Sequence, residues 1–167
     1  QMCGQLATKL KNPEQDVPGL LVIDTPGHEV FTNLRTRGGS AADIAILVVD
    51  TNRGFQPQTN ESLKILQARK VPFVVALNKV DMISGWRPAD TPYISLAIKK
   101  QDQFIQTTLD EQIYNVVGTL SILGFQSEAF YRVKDFGKEV SIVPVSARTG
   151  VGIPELLTVL VGLTQQY

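Results

Sequence analysis

Apolar residues along this chain fall into two kinds of run. LLVID at 20–24, IAILVVD at 44–50 and PFVVALN at 72–78 are continuous rather than alternating, the pattern of strands buried on both faces of a parallel sheet. VSIVPV at 140–145 has the same character, weakened by Pro144, which cannot donate to a sheet ladder. Between these runs the spacing changes to three and four residues. The segment after Pro57 carries Leu63, Ile65 and Leu66 on one stripe. A longer stripe after Lys100 takes in Ile105, Leu109, Ile113, Val116, Val117 and Leu120, and it stops before Gly124. The last opens at Ile153-Pro154, with proline in a favoured first-turn position, and runs through Leu156, Leu157, Leu160 and Leu163.

Strands alternating with helices predict an α/β fold, with a parallel sheet, right-handed crossovers and helices on both faces. Near the start, Met2, Leu6 and Leu10 make a short helical stripe that ends at Asn12-Pro13. Residues 82–100 contain Gly85, Trp86, Pro88 and Pro92 with little periodicity, and are expected to form a surface insertion or long loop. There is no internal repeat, no low-complexity tract and no second-domain boundary.

Composition narrows this picture only a little. The 167 residues are the size of one domain, and 43% hydrophobic with 19% charged residues is ordinary for a globular protein. Sixteen basic and sixteen acidic residues balance to zero, so any contact with nucleic acid has to come from a local patch. Cys3 is the single cysteine, which excludes an internal disulfide and suits a reducing, cytoplasmic location. No apolar run is long enough for a membrane span, and no signal-peptide pattern opens the chain.

Candidate chemistry gathers where the predicted strands end. In open parallel sheets ligands bind at the carboxyl ends of the strands, and three of these ends carry polar clusters: DTPGH at 24–28, NKVD at 78–81 and SAR at 146–148. Asp81 offers two acceptor oxygens and no donor, which matches the paired N1–H and N2–H groups of guanine and not the edge of adenine. Leaving a buried carboxylate unpaired costs roughly 1–3 kcal/mol, enough to discriminate between bases. Asn78 can donate to a base and tie neighbouring loops, and the Lys79 stem can lie along a ring face. The same residue types also suit an ordinary polar turn. Backbone N–H groups of Ser146 and Ala147 can face a carbonyl such as guanine O6, although a plain helix-entry loop has the same sequence. In the first cluster, Asp24 can hold hydrated Mg²⁺ beside a triphosphate. Gly27 lets its N–H approach a terminal phosphate, and His28 stands where an attacking water would be oriented.

Taken in order, DTPGH, NKVD and SAR resemble the third, fourth and fifth sequence elements of the translational GTPases. The stretch PGLLVIDTPGHEVFTNLRTRGGSAADIAILVVDTNRGFQPQT is similar to the family of the ribosomal-subunit-joining initiation factor, and VSIVPVSARTGVGIPELLTVLVGLTQQY resembles its archaeal–eukaryotic branch. That family is called factor two in bacteria and factor five-B in archaea and eukaryotes, and FVVALNKVDMISGWRP with its following helix resembles the archaeal–eukaryotic branch. The resemblance implies a three-layer P-loop GTPase-like domain that binds GTP or GDP with Mg²⁺. It implies nucleotide contacts from Asp24, Thr25, Pro26, Gly27, Asn78, Lys79, Asp81, Ser146, Ala147 and Arg148. Asp24 would lie near the metal through water, and His28 would position the hydrolytic water. It also implies partners: the ribosome, with Arg35 and Arg37 either near ribosomal RNA or simply solvated surface charge, and initiator tRNA through other domains.

Two elements of that family are absent from the sequence. No G-x-x-x-x-G-K-[ST] loop occurs anywhere, nor a recognisable first-switch threonine. That loop cradles the β- and γ-phosphates with backbone N–H groups and a lysine. The chain is therefore expected to be a partial G domain over 1–167, lacking the N-terminal strand, P-loop and first switch, and inactive alone. The family's strand before that loop lies between those matching 20–24 and 44–50, so its absence is expected to leave apolar strand edges exposed. An alternative is a truncated, non-hydrolysing scaffold or interaction module. A different nucleotide-binding α/β domain, such as a flavodoxin-like one, fits the paired motifs less well.

Overall fold

A computed structural model describes residues 44–164. Four strands form one parallel sheet in the order β1 (Ala45–Asp50), β2 (Phe73–Asn78), β4 (Val140–Pro144), β3 (Ser127–Ala129). Every residue from Phe73 to Leu77 is buried, so β2 is covered on both faces, as its unbroken apolar run requires. β1 lies at an edge among the described residues and alternates: Leu47 and Val49 are buried, while Val48 is 59% exposed. The predicted strand at 20–24 lies outside the described residues.

The helices follow the stripes. α1 (Pro57–Arg69) starts with proline in its first turn, and Gln56 and Thr59 form a reciprocal capping box. It buries Leu63 and Leu66. α3 (Gln103–Ile122) buries Ile105, Leu109, Ile113, Val116 and Leu120. It stops where Gly124 takes φ +89° and the N–H of Phe125 reaches back to Leu120 O at 2.9 Å. α4 (Ile153–Thr164) buries Leu156, Leu160 and Leu163 but leaves Leu157 43% exposed, because Glu155 and Thr158 take inward positions.

Two features depart from the hydrophobic pattern. β3 is three residues of Ser-Glu-Ala, too short and too polar to show as a run, and it forms by pairing with β4 along Ser127↔Val140 to Ala129↔Ile142. Residues 82–100 are not merely surface. Ile83, Ile94 and Ala97 belong to the core, and α2 (Ile94–Lys99) is a short helix. Six helical residues are too few to show a period, and the prolines around Trp86 hid the inward positions. Pro144, expected to weaken its strand, closes β4 at its last residue, opposite Leu77.

Candidate functional site

The register of the sheet aligns the strand ends. Asp50 lies opposite Asn78, and Leu77 lies opposite Pro144, so the residues following β1, β2 and β4 emerge at one edge. The chain turns sharply after β2 because Lys79 adopts a left-handed conformation, φ 66° and ψ 37°, and starts the single 3₁₀ turn Val80–Met82. That turn aims Asp81 at the loop after β4. The loop is sewn to β2 on both sides: Val145 N–H donates to Leu77 O at 2.8 Å, and Val80 N–H to Val145 O at 3.3 Å.

Two side-chain hydrogen bonds then bring NKVD and SAR together. The buried Ser146 hydroxyl donates to Asp81 Oδ1 at 2.8 Å, across 65 residues of sequence. The Ala147 N–H donates to Asn78 Oδ1 at 3.0 Å, across 69 residues. Ser146 Oγ also accepts the Thr149 N–H at 3.2 Å, so one small hydroxyl orients the carboxylate and closes its own turn. With Oδ1 of Asn78 accepting, its Nδ2 is left as a donor facing away from the loop. Asp81 is half-buried, and a carboxylate with one oxygen singly occupied keeps further acceptor positions. The set offers a bidentate acceptor from Asp81 and an amide donor from Asn78 within one rigid knot.

One sequence expectation is corrected here. The Ser146 N–H is not available to a ligand carbonyl, because it donates to Val151 O at 2.8 Å as the loop closes on itself. Ser146 contributes its hydroxyl, and the Ala147 N–H donates to Asn78 Oδ1 at an exposed position. Ala147 and Arg148 are exposed.

Asp50 and Thr51 were not singled out by the sequence reading, although a strand running into Asp-Thr was the available signal. Thr51 is buried, and both its N–H and its hydroxyl are donated to Asn78 O, the N–H at 2.9 Å. Asp50 Oδ2 pairs with Lys79 Nζ at 3.0 Å, and Oδ1 accepts the N–H groups of Asn52 and Arg53 at 2.8 and 3.3 Å. Burial disfavours the Asp50 carboxylate, but Lys79 and the two backbone donors outweigh it and hold its pKa below the ordinary 3.8. The ion pair tethers the Lys79 ammonium to the end of β1. A cleft of about 320 Å³ between residues 51–55 and α3 shares none of the NKVD or SAR residues and is a separate feature.

Asp24, Thr25, Pro26, Gly27 and His28 lie outside the described residues, as do Arg35 and Arg37. Among the described residues no three His, Cys, Asp or Glu side chains are grouped to hold a metal, and no helix is long and apolar enough to cross a membrane.

Known proteins are similar to this chain in sequence and fold. A protein of Sulfurisphaera tokodaii designated "Probable translation initiation factor IF-2" is 61% identical over 152 residues, covering 91% of this chain and 25% of its own length. One of Thermococcus sibiricus with the same designation is 53% identical over 167 residues, 100% of this chain and 28% of its own. The chain thus spans about a quarter of the length of such relatives. The crystal structure of GDP-bound aIF5B from Aeropyrum pernix superposes with a TM-score of 0.82 at 49% identity, over 97% of this chain and 28% of that one. Residues 7–166 match the family described as the elongation factor Tu GTP binding domain, and the chain belongs to that family.

Proposed function

We propose that this chain is the guanine-reading part of a GTP-binding and GTP-hydrolysing domain in a translation initiation factor of the IF-2/aIF5B type, acting at the ribosome in subunit joining. The observation that carries the proposal is the knot at the strand ends, in which Ser146 fixes Asp81 and Ala147 fixes Asn78. A half-buried carboxylate held at a loop tip by a distant serine is poised to accept from a ligand with two adjacent donors. Guanine presents N1–H and N2–H in that relation.

In this reading Asp81 accepts both donors, Asn78 Nδ2 donates to the purine, and Ala147 N–H reads O6. The Lys79 stem lies along the ring, with Arg148 at the rim. Asp24, with Thr25 and Pro26 beside it, would lie near Mg²⁺, whose chemistry would be to neutralise charge on the phosphates. Gly27 would meet the terminal phosphate, and His28 would orient the water. The remaining phosphate contacts would come from segments beyond this sequence, since it holds no Gly-x-x-x-x-Gly-Lys loop. Ribosomal RNA near Arg35 and Arg37, initiator tRNA through other parts of a longer protein, and a cytoplasmic location complete the proposal.

Its test is Asp81→Asn in the full-length polypeptide, with GDP, IDP and ADP binding measured by calorimetry. The amide swaps one acceptor for a donor facing N1–H or N2–H, so GDP affinity should fall at least about tenfold, the scale of one charge-assisted bond. Unchanged GDP affinity and selectivity would refute the assignment.

A further inference from the structure

The core-packed stretch at residues 83–101 has no role in the reading above, yet it joins both halves of the site. It leaves the NKVD turn directly, since Ile83 N–H bonds to Val80 O at 3.1 Å and Trp86 N–H to Ile83 O at 2.9 Å. It then touches down on the SAR loop: Pro92 O accepts the Gly152 N–H at 2.8 Å. The span between is closed on itself by the buried Gln101, whose Oε1 accepts Arg87 N–H at 2.7 Å while Nε2 donates to Arg87 O at 2.8 Å and Ala97 O at 3.1 Å.

The fastening at the far end is a buried acid. Glu155, 1% exposed in the first turn of α4, accepts Ile94 N–H on Oε1 at 3.1 Å, and on Oε2 accepts Ser95 N–H at 3.2 Å and the Ser95 hydroxyl at 3.3 Å. Burying a carboxylate is costly unless donors saturate it, and the start of α2 supplies the backbone N–H groups that a helix leaves without partners. Glu155 lies three residues after Gly152, and Leu156 N–H bonds back to Gly152 O at 2.9 Å. The clamp is therefore continuous with the loop that carries Ser146 and Ala147.

We propose that Glu155 is a positioning residue for guanine recognition, fixing the 145–152 loop by clamping residues 83–101 as a brace between the two base-reading loops. This rests on the nucleotide reading given above. Glu155 does not touch the base; it sets where the Ala147 N–H lies relative to Asp81.

The test compares GDP with 6-thio-GDP in the full-length polypeptide, wild type against Glu155→Gln. The thio analogue keeps the donors that face Asp81 and weakens only the acceptor that faces Ala147. Glutamine keeps the size but turns a donor toward Ile94 or Ser95. The wild type should prefer GDP, and the variant should lose that preference by on the order of fivefold, the worth of about one hydrogen bond. Amide hydrogen exchange at Ala147 and Gly152 should quicken along with that at Ile94 and Ser95. Equal weakening of both nucleotides, or faster exchange confined to residues 94–95, would mean a purely structural role and overturn the proposal. A wild type that binds GDP while the variant keeps its preference overturns the brace alone; a wild type without affinity for GDP overturns the nucleotide reading and the brace together. If Glu155→Gln does not fold, Ser95→Ala, which removes one of the three donors, carries the same comparison.

Discussion

Gly150 and Gly152 flank the end of the SAR loop with nearly the same backbone conformation, φ +84° and +82°. Their surroundings differ. A Cβ on Gly150 would meet nothing within 4 Å, whereas one on Gly152 would stand 2.3 Å from Pro144 O, 3.0 Å from Val145 Cγ1 and 3.1 Å from Val145 Cα. Alanine at either position bears the left-handed cost of about 1–2 kcal/mol, partly offset by about 0.4–1 kcal/mol from restricting the unfolded chain. Only Gly152→Ala adds a steric collision, and the atom it strikes is the backbone carbonyl that ends β4. Relief requires shifting either the Gly152 loop or Pro144, which pairs with Leu77 of β2. Overpacking of this kind costs about 1–3 kcal/mol. Gly150→Ala should therefore lose roughly 0–1.5 kcal/mol, and Gly152→Ala about 1–4.5 kcal/mol, at its upper end a large share of the roughly 5–15 kcal/mol typical of a domain. Urea unfolding of the two variants, followed by fluorescence of Trp86, the chain's single tryptophan, measures both. Equal losses at the two sites would refute the reasoning, since strain alone would then account for everything.

Asp50→Asn tests the second anchor. The Asp50 pKa is lowered in the folded chain, so its stabilisation is present above the unfolded value and fades as pH falls through the folded one. The stability gap between wild type and Asp50→Asn should be constant from about pH 5 to 8 and close below about pH 4; a gap that widens in acid would contradict the pairing with Lys79. His28→Ala in the full-length polypeptide should slow GTP hydrolysis by about 10²–10⁴-fold, the worth of a positioned proton-transfer group, with nucleotide affinity little changed. Unaltered turnover would remove His28 from the reaction.

Legibility in the sequence followed burial. The strand at 72–78 showed because two-sided burial demands an unbroken apolar run, the one at 44–50 because its run is equally apolar although Val48 is exposed, and α1 and α3 because one buried face imposes a 3.6-residue period. Asp81, Asn78 and Ser146 were visible because the ends of parallel strands converge on one edge. β3 was invisible because three residues, two of them polar, pair only when β4 is already there to receive them. Asp50 and Thr51 stood in plain sight, but their partners Lys79 and Asn78 lie 27 or more positions away.

The order and type of the main elements were thus determined by local patterning, since solvent exclusion acts on each segment wherever it packs. Only tertiary structure decided which backbone donors remained for a ligand. Ser146 N–H is consumed by Val151 and Ala147 N–H is shared with Asn78, because a hydrogen bond joins groups by distance in space and leaves no periodic trace in the chain. The same reason hid Glu155. An acid near a helix start reads as ordinary surface charge until the fold brings the bare first turn of α2 against it.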